Sequence, residues 1–342
     1  MWRATLGARR MSTVRGMRTG PAFPTPPPKP DPLQVLTWDR IRAEAEAALS
    51  DSQLRYSYGL ISLVEKSVLA HDSLAEGLAA TLGSKLDQAG KSSLDFQQMC
   101  NDAFRANPEI VDAASHDLKR TLELDPAADS FLRVYLFFKG FHCIQSARVA
   151  HFFWSCGSKI LASAVQSEMA STFGVDIHPA SRWGRGITMD HAGGCVIGET
   201  SVIGDNVYFM HDVTLGATGT SGEHDRHPKI RDGVFLAAKC TVLVACLNGW
   251  NAALRASQRA QAMLQCSAQA SVLVSQYSQG NIEIGQNAVV GAHSLVNRSV
   301  PADHVALGVP AKNRPRYARA TFAPSGTPLP ANAAYGEMGE GI

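Results

Sequence analysis

No apolar run in this 342-residue chain approaches the roughly 18 residues that a membrane-spanning helix needs, so the sequence offers no span and no membrane partner. The seven cysteines (Cys100, Cys143, Cys156, Cys195, Cys240, Cys246, Cys266) are scattered, odd in number and never spaced CxxC. That argues against a disulfide framework or a zinc knuckle and leaves free thiols in a reducing compartment as the default. A GxxxxGK[ST] phosphate loop, an HExxH pair and a dinucleotide-binding GxGxxG are all missing. Phosphoryl transfer and nicotinamide chemistry thereby lose their usual sequence support. Acidic residues are absent from the first 30 positions, which carry Arg3, Arg9, Arg10, Arg15, Arg18 and Lys29 with several Ser and Thr, and no apolar stretch of a secretory kind. That composition predicts an organellar transit peptide, addressed to a mitochondrion or plastid. Without those six cations the chain holds 26 basic and 30 acidic residues, a net charge of −4, so nucleic-acid binding has no electrostatic footing.

What the chain does contain is a ladder. Bulky apolar residues recur at every sixth position as Ile177, Trp183 and Met189, and then, two residues late after Gly193 and Gly194, as Ile197, Ile203, Phe209 and Leu215. The ladder resumes at Ile230, Leu236 and Val242, and again at Ile284, Val290 and Val296. A helix repeats near 3.6 residues and a strand near 2, so a period of six predicts the three-sided coil of a parallel β-helix. Stacked turns of such a coil bring one residue per face into a continuous apolar column. Glycines after several rungs (Gly184, Gly198, Gly204, Gly285, Gly291) suit corners where a Cβ would clash or φ must be positive.

The fold class is therefore α+β. Residues 1–32 are read as transit peptide and proline-rich linker, 33–165 as an all-α domain, 166–315 as the β-helix domain, with its ladder from about Gly174 to Lys312, and 316–342 as a flexible tail rich in Pro, Gly and Ala. In the helical part Leu74, Leu78, Leu82 and Leu86 form one stripe behind a Ser73–Glu76 capping box. Asn107–Pro108 and Asp125–Pro126 each read as an N-cap with the first helical residue. The apolar stretch Phe131–Trp154 is broken by Arg133, Lys139 and Arg148 and reads as bundle core. Two segments leave the coil. One is the Gly-rich loop Gly216–Pro228; the other, 244–279, has eight Ala and no acidic residue in 36 positions, and its removal restores the sixfold register. It is either a helical excursion at a coil corner or translated sequence foreign to the mature protein.

Asp190 and His191 stand together in a small, apolar turn, Arg226 and His227 end the Gly-rich loop, and Asp176 lies a little over two hexads before Asp190. By residue type alone, His191 could be structural or a base, Arg226 could be a solvated loop charge, and Asp125 could be only a cap. His224 and His227, three apart, could form a metal pair, which keeps a γ-type carbonic anhydrase open. His142 and His151 read as packing residues of the helical domain.

The motifs DPAADS, KGFHCIQSARVAHFFW, GVDIHPA, DHAGGCVIGET, DRHPKI and GVPAK resemble serine acetyltransferases, over most of residues 33–316. The resemblance implies a left-handed coil, trimers stacked as a hexamer, and acetyl transfer from acetyl-CoA to the hydroxyl of L-serine, giving O-acetylserine for cysteine synthesis (EC 2.3.1.30). Acetyl-CoA serves as co-substrate, and no cofactor or metal is implied. Carried onto this sequence, His191 is the general base and Asp176 its orienting carboxylate. Asp125 and Asp190 face the serine amino group, Arg226 and His227 its carboxylate and the acyl oxygen, and Ala217, Ala238 and Lys312 flank acetyl-CoA. The site lies between subunits, and L-cysteine, shaped like serine, is expected to inhibit there. The chain ends GEMGEGI, and the resemblance implies that Ile342 docks into O-acetylserine (thiol)lyase.

Departures fall on the donor half. The sequence has Gly216-Ala217-Thr218-Gly219 and Ala237-Ala238-Lys239-Cys240 where the family usually has GGTG and GAGA. Lys239 is expected to disrupt its corner most. An alternative reading is thus a catalytically impaired scaffold that keeps the oligomer and the partner tail.

Overall fold

The computed structural model describes residues 32–50, 58–87, 94–218, 225–245 and 282–316. The proposed leader, most of the 244–279 segment, His224, Gly219 and the C-terminal tail with Ile342 lie outside the described residues. Among the described residues, eight α-helices come first: α1 (Pro32–Leu49), α2 (Tyr58–Val64, continued by a π-turn, Glu65–Leu69), α3 (Leu74–Leu86), α4 (Phe96–Ala106), α5 (Glu109–Leu124), α6 (Phe131–Phe137), α7 (Lys139–Ser155) and α8 (Lys159–Phe173). The boundary drawn at residue 165 falls inside α8. That helix runs on until Gly174, at φ 70°, caps it in the left-handed region. No helix among the described residues is long and apolar enough to cross a membrane.

The leucine stripe of α3 is buried as its spacing predicts, and the Ser73 hydroxyl accepts a hydrogen bond from Glu76 N. The return bond of the box is displaced by one residue, because Asp72 N donates to Glu76 Oε2 at 3.1 Å. Two cap assignments need correction. Asn107 ends α4, and Pro108 caps α5, so the helix begins one residue late. Asp125 closes α5 as its C-cap and does not open a helix. Its carboxylate accepts from Ala127 N at 2.9 Å in a local turn, and α6 starts only after Ser130, whose hydroxyl accepts from Arg133 N. A short turn-stabilising carboxylate competes here with the helix that Pro126 would otherwise open.

Fifteen strands follow among the described residues, most of them two residues long. Sheet A contains β1 (Asp176–Ile177), β4 (Val196–Ile197), β7 (Thr214–Thr218), β10 (Thr241–Ala245) and β13 (Leu295–Val296) in that order. Sheet B contains β2 (Arg182–Trp183), β5 (Val202–Ile203), β8 (Lys229–Ile230) and β11 (Glu283–Ile284). Sheet C contains β3 (Thr188–Met189), β6 (Tyr208–Phe209), β9 (Phe235–Leu236), β12 (Val289–Val290), β14 (His304–Leu307) and an antiparallel β15 (Lys312–Pro315). Each of β1 to β13 carries a rung of the ladder as its second residue, and the register stacks rung on rung: Ile177 on Ile197 on Leu215 on Val242 on Val296. Every rung is buried except Trp183, which is partly buried and meets the Phe209 ring at 5.6 Å. Each buried rung contributes roughly 1.5–3 kcal/mol of transfer free energy, which explains why two-residue strands suffice.

The ladder crosses both interruptions without losing register, since Ile230 stacks on Ile203 and Ile284 on Ile230. Both excursions leave at the same corner, between sheets A and B. There β7 and β10 run on past the coil and pair Leu243 with Gly216, Val244 with Ala217 and Ala245 with Thr218. Val244 and Ala245, the first residues of the 244–279 segment, therefore belong to a strand.

Corner geometry differs from expectation in one respect. The five glycines singled out after rungs lack positive φ; a Cβ at Gly184, for example, would collide with the Gly204 carbonyl one coil on. The left-handed positions are instead filled largely by other residues, including His191, Ala192, Asn206, Asp212, Lys239, Asn287 and His293. Lys239 sits at φ 60°, is exposed, and donates its amide to His211 O. Its cost is backbone strain of about 1–2 kcal/mol, partly recovered if glycine replaces it. Lys239→Gly should accordingly raise stability by about 0.5–1 kcal/mol, read as a higher denaturant midpoint; a lower midpoint would contradict this account.

Candidate active site

The helical region holds the first coil through one face of α5. Asp117, Thr121 and Asp125 recur at i, i+4 and i+8 and so point the same way. Asp117 Oδ1 accepts from Ile187 N at 2.7 Å, Thr121 Oγ1 meets Thr188 Oγ1 at 3.4 Å, and Asp125 ends the row beside Asp190. Arg148, on α7, pairs with Asp117 and donates to Gly184 O at 2.6 Å; both charged side chains are buried. The start of α7 also lies against β3. A Cβ at Gly140 would overlap the Met189 carbonyl oxygen, so only glycine allows this approach.

The first polar cluster occupies the corner after Met189. Two consecutive left-handed residues, His191 (φ 58°) and Ala192 (φ 56°), followed by Gly194 (φ 77°), absorb the two extra positions in the ladder. Ala192 is fully buried by this turn, while the His191 side chain is 73 % exposed. Asp190 Oδ1 lies 3.4 Å from His191 Nε2. Burial raises the Asp190 carboxyl above its ordinary value; His191 pulls it down and the nearby Asp125 carboxylate pushes it up. Tyr208 donates its phenol to Asp190, and its own pKa is raised by burial and by both carboxylates. The His211 ring stands edge-on to His191 at 6.0 Å. Two facing carboxylates beside an exposed imidazole form a site for a cation next to a group that accepts protons.

The second cluster lies at a different corner, between sheets A and B, and sets Arg226 among carboxylates and two histidines. Arg226 Nη2 donates to Glu199 Oε2 at 2.9 Å. His227 is buried with its ring edge over Gly198, where a Cβ would strike Nε2 and Cδ2. Thr200 N donates to His227 Nδ1 at 3.1 Å. Burial, then Arg226, lowers the His227 pKa to about 4, so the ring is neutral near pH 7. His178 is lowered in the same direction, chiefly by burial, with Glu199 and Asp176 opposing.

Asp176 thus belongs electrostatically to the second cluster. Its carboxylate accepts from Gln166 Nε2 at 2.7 Å, and among the described residues no hydrogen bond joins it to His191. Within one chain, then, Asp125, Asp190 and His191 come together, and Asp176, Arg226 and His227 come together, but the two groups stand apart at separate corners.

A family model described as "Serine acetyltransferase, N-terminal" matches residues 37–146. The serine acetyltransferase of Escherichia coli K12 is 35% identical over 277 residues, covering 81% of this chain and 86% of that protein. The chain belongs to the serine acetyltransferase family. Solved structures agree. Soybean serine acetyltransferase complexed with serine is 38% identical with a TM-score of 0.67, covering 84% of this chain and all of that one. A serine acetyltransferase in complex with CoA (34%, TM-score 0.66, 82% and 100% covered) and one in complex with cysteine (33%, TM-score 0.67, 82% and 93% covered) match as closely. The protein is accordingly an acyltransferase, a serine O-acetyltransferase, and these relatives favour neither a zinc hydratase nor an impaired scaffold. Among the described residues no three His, Cys, Asp or Glu side chains are grouped as metal ligands.

Elsewhere in the acetyltransferase, Ala217 lies on the part of β7 that extends beyond the coil and Ala238 precedes Lys239 at the corner between sheets C and A. Lys312 is exposed on β15. His142 is buried, bonds Tyr135 O at 2.7 Å and is held neutral with a pKa near 3 by burial, so it packs the helical region as its sequence context indicates. Five cysteines are free thiols; Cys246 and Cys266 lie outside the described residues. Sequence reasoning missed Asp117, Thr200, Glu199, Tyr208 and His211. The spacing of Asp117, Thr121 and Asp125 on one helix face was a readable signal for the first; the others owe their place to neighbouring coils.

Proposed function

We propose that this protein transfers acetyl from acetyl-CoA to L-serine at a site assembled from the two corners, with His191 as general base. The observation that carries the reading is their complementarity: Asp125 and Asp190 beside His191 at one corner, Arg226 and His227 at the other. The amino group of serine suits the carboxylates, and its carboxylate suits the guanidinium. His191 takes the serine hydroxyl proton as Oγ attacks the thioester carbonyl carbon. The tetrahedral intermediate collapses, the C–S bond breaks, and the imidazolium returns its proton to the departing thiolate. No enzyme nucleophile or resident cofactor is needed.

Because the two clusters stand at separate corners of one chain, a complete site requires two copies, as in a trimer or a dimer of trimers. Asp176, beside the Arg226 cluster, would then reach His191 of a neighbouring subunit and orient its ring. Ala217, Ala238 and Lys312 are assigned to the acetyl-CoA side, and the coil is assigned a left hand. L-Cysteine is expected to compete with serine, a reading supported by a relative solved with cysteine. The basic N-terminus is assigned to import into a mitochondrion or plastid, 33–165 and 166–315 to the helical and coil domains, and Ile342 to capture by O-acetylserine (thiol)lyase. Thiol release from acetyl-CoA should depend on L-serine and be measurable for the full chain and for one lacking residues 244–279. Absence of serine-dependent release from both chains would overturn the proposal.

A further inference from the structure

Five hydrogen bonds converge on Thr200, one of them donated by Lys229 Nζ to its carbonyl oxygen. Its backbone N–H donates to His227 Nδ1 at 3.1 Å, and its Oγ1 accepts from Arg226 N at 3.0 Å and His227 N at 2.9 Å. With both lone pairs engaged, the hydroxyl proton is left to point at His227 Nδ1, 3.0 Å away. A backbone amide can only donate, so Nδ1 must be an acceptor and the ring proton must reside on Nε2.

We propose that Thr200 is a positioning residue that locks His227 in the Nε2–H tautomer, so that His227 serves the reaction as a hydrogen-bond donor to an anionic oxygen and never as the base. The inference rests on the acetyltransferase reading of this site. The groups facing the ring are consistent with it: Arg226, Lys229 on β8 and His178 after β1 oppose a second proton, and only Glu199 favours one. Gly198 leaves room for the Nε2 edge, and Glu199 holds the neighbouring Arg226 in the same way that Thr200 holds His227. One dipeptide, Glu199-Thr200, thereby orients both cationic-side residues. The division of labour follows from environment: His191 is exposed at its own corner and free to exchange protons, whereas His227 is enclosed with its acceptor nitrogen already occupied.

The test uses the full chain labelled with 15N-histidine, the His227 signal being assigned by its loss in His227→Gln. Between pH 5 and 8 the native ring should show an unprotonated Nδ1 and a protonated Nε2. Thr200→Val keeps the amide that donates to Nδ1 but removes the hydroxyl's hydrogen bonds to Arg226 N, His227 N and Nδ1, so the tautomer should hold while kcat/KM falls by roughly 10- to 100-fold as the ring loses its aim; Thr200→Ser should restore the rate. A proton on Nδ1 in the native protein, or a charged ring at pH 7, would overturn the proposal whether or not the valine variant folds, and so would an unchanged kcat/KM in folded Thr200→Val. The spectroscopic readout needs no turnover. An Nε2–H ring in a chain that fails to acetylate serine would therefore reject the transferase reading and leave the tautomer lock standing.

Discussion

His191→Asn should lower kcat by roughly 10²- to 10⁴-fold, the usual contribution of a positioned general base, with the thermal midpoint and the oligomer unchanged. The choice of asparagine follows from the backbone. His191 lies at φ 58°, a left-handed conformation that asparagine tolerates better than alanine does. The imidazole is largely exposed, so its removal forfeits little packing. Its partner Asp190 keeps the Tyr208 hydrogen bond when the ring is gone. Loss of turnover therefore reports on proton transfer and not on a collapsed corner. Measured at saturating serine and acetyl-CoA, a rate within threefold of the native enzyme would remove His191 from the mechanism.

Asp117→Ala should cost about 3–5 kcal/mol of stability, because it leaves the Arg148 guanidinium buried without its counter-charge. The carboxylate also accepts from Gln145 Nε2 at 2.9 Å and from Ile187 N at 2.7 Å, so two further donors are stranded. Its loss should also weaken serine binding, since Asp117 anchors the face of α5 that presents Asp125. Replacing both charges, as Asp117→Leu with Arg148→Met, should recover much of the stability: Arg148 Nε already finds no partner, and an apolar pair leaves fewer donors unpaired. Urea unfolding of the three proteins measures this. A single mutant within 1 kcal/mol of the native protein, or a double mutant less stable than the single, would refute the assignment.

Much of the coil was legible because its determinant is local and repetitive. One bulky residue in six, read along the chain, is one residue per face in space, and nothing beyond arithmetic is needed to place Ile284 over Ile230 despite the long segment between them. Cap chemistry was legible only in part. Ser73 behaves as its spacing dictates, but Asp125 has two available roles, and the turn to Ala127 wins where the chain must bend toward the coil. The backbone setting of Lys239 was not legible, because residue type does not reveal that it stands exposed at a left-handed corner.

By itself, the order of residues determined the α+β class, the register of the ladder, the family and the identity of His191, Asp190, Arg226 and His227 as the unusual ionisable groups. Only the tertiary structure decided how those groups divide: Asp125 joins Asp190 across 65 positions because α5 docks on the first coil, while Asp176 stands with His178 and Glu199 instead of His191. Periodicity fixes a position along the coil axis to within one rung. Which corner a side chain shares, which nitrogen of a ring is already occupied and which charge is shielded from water depend on neighbours that come from other coils and other helices, and no sequence spacing encodes those.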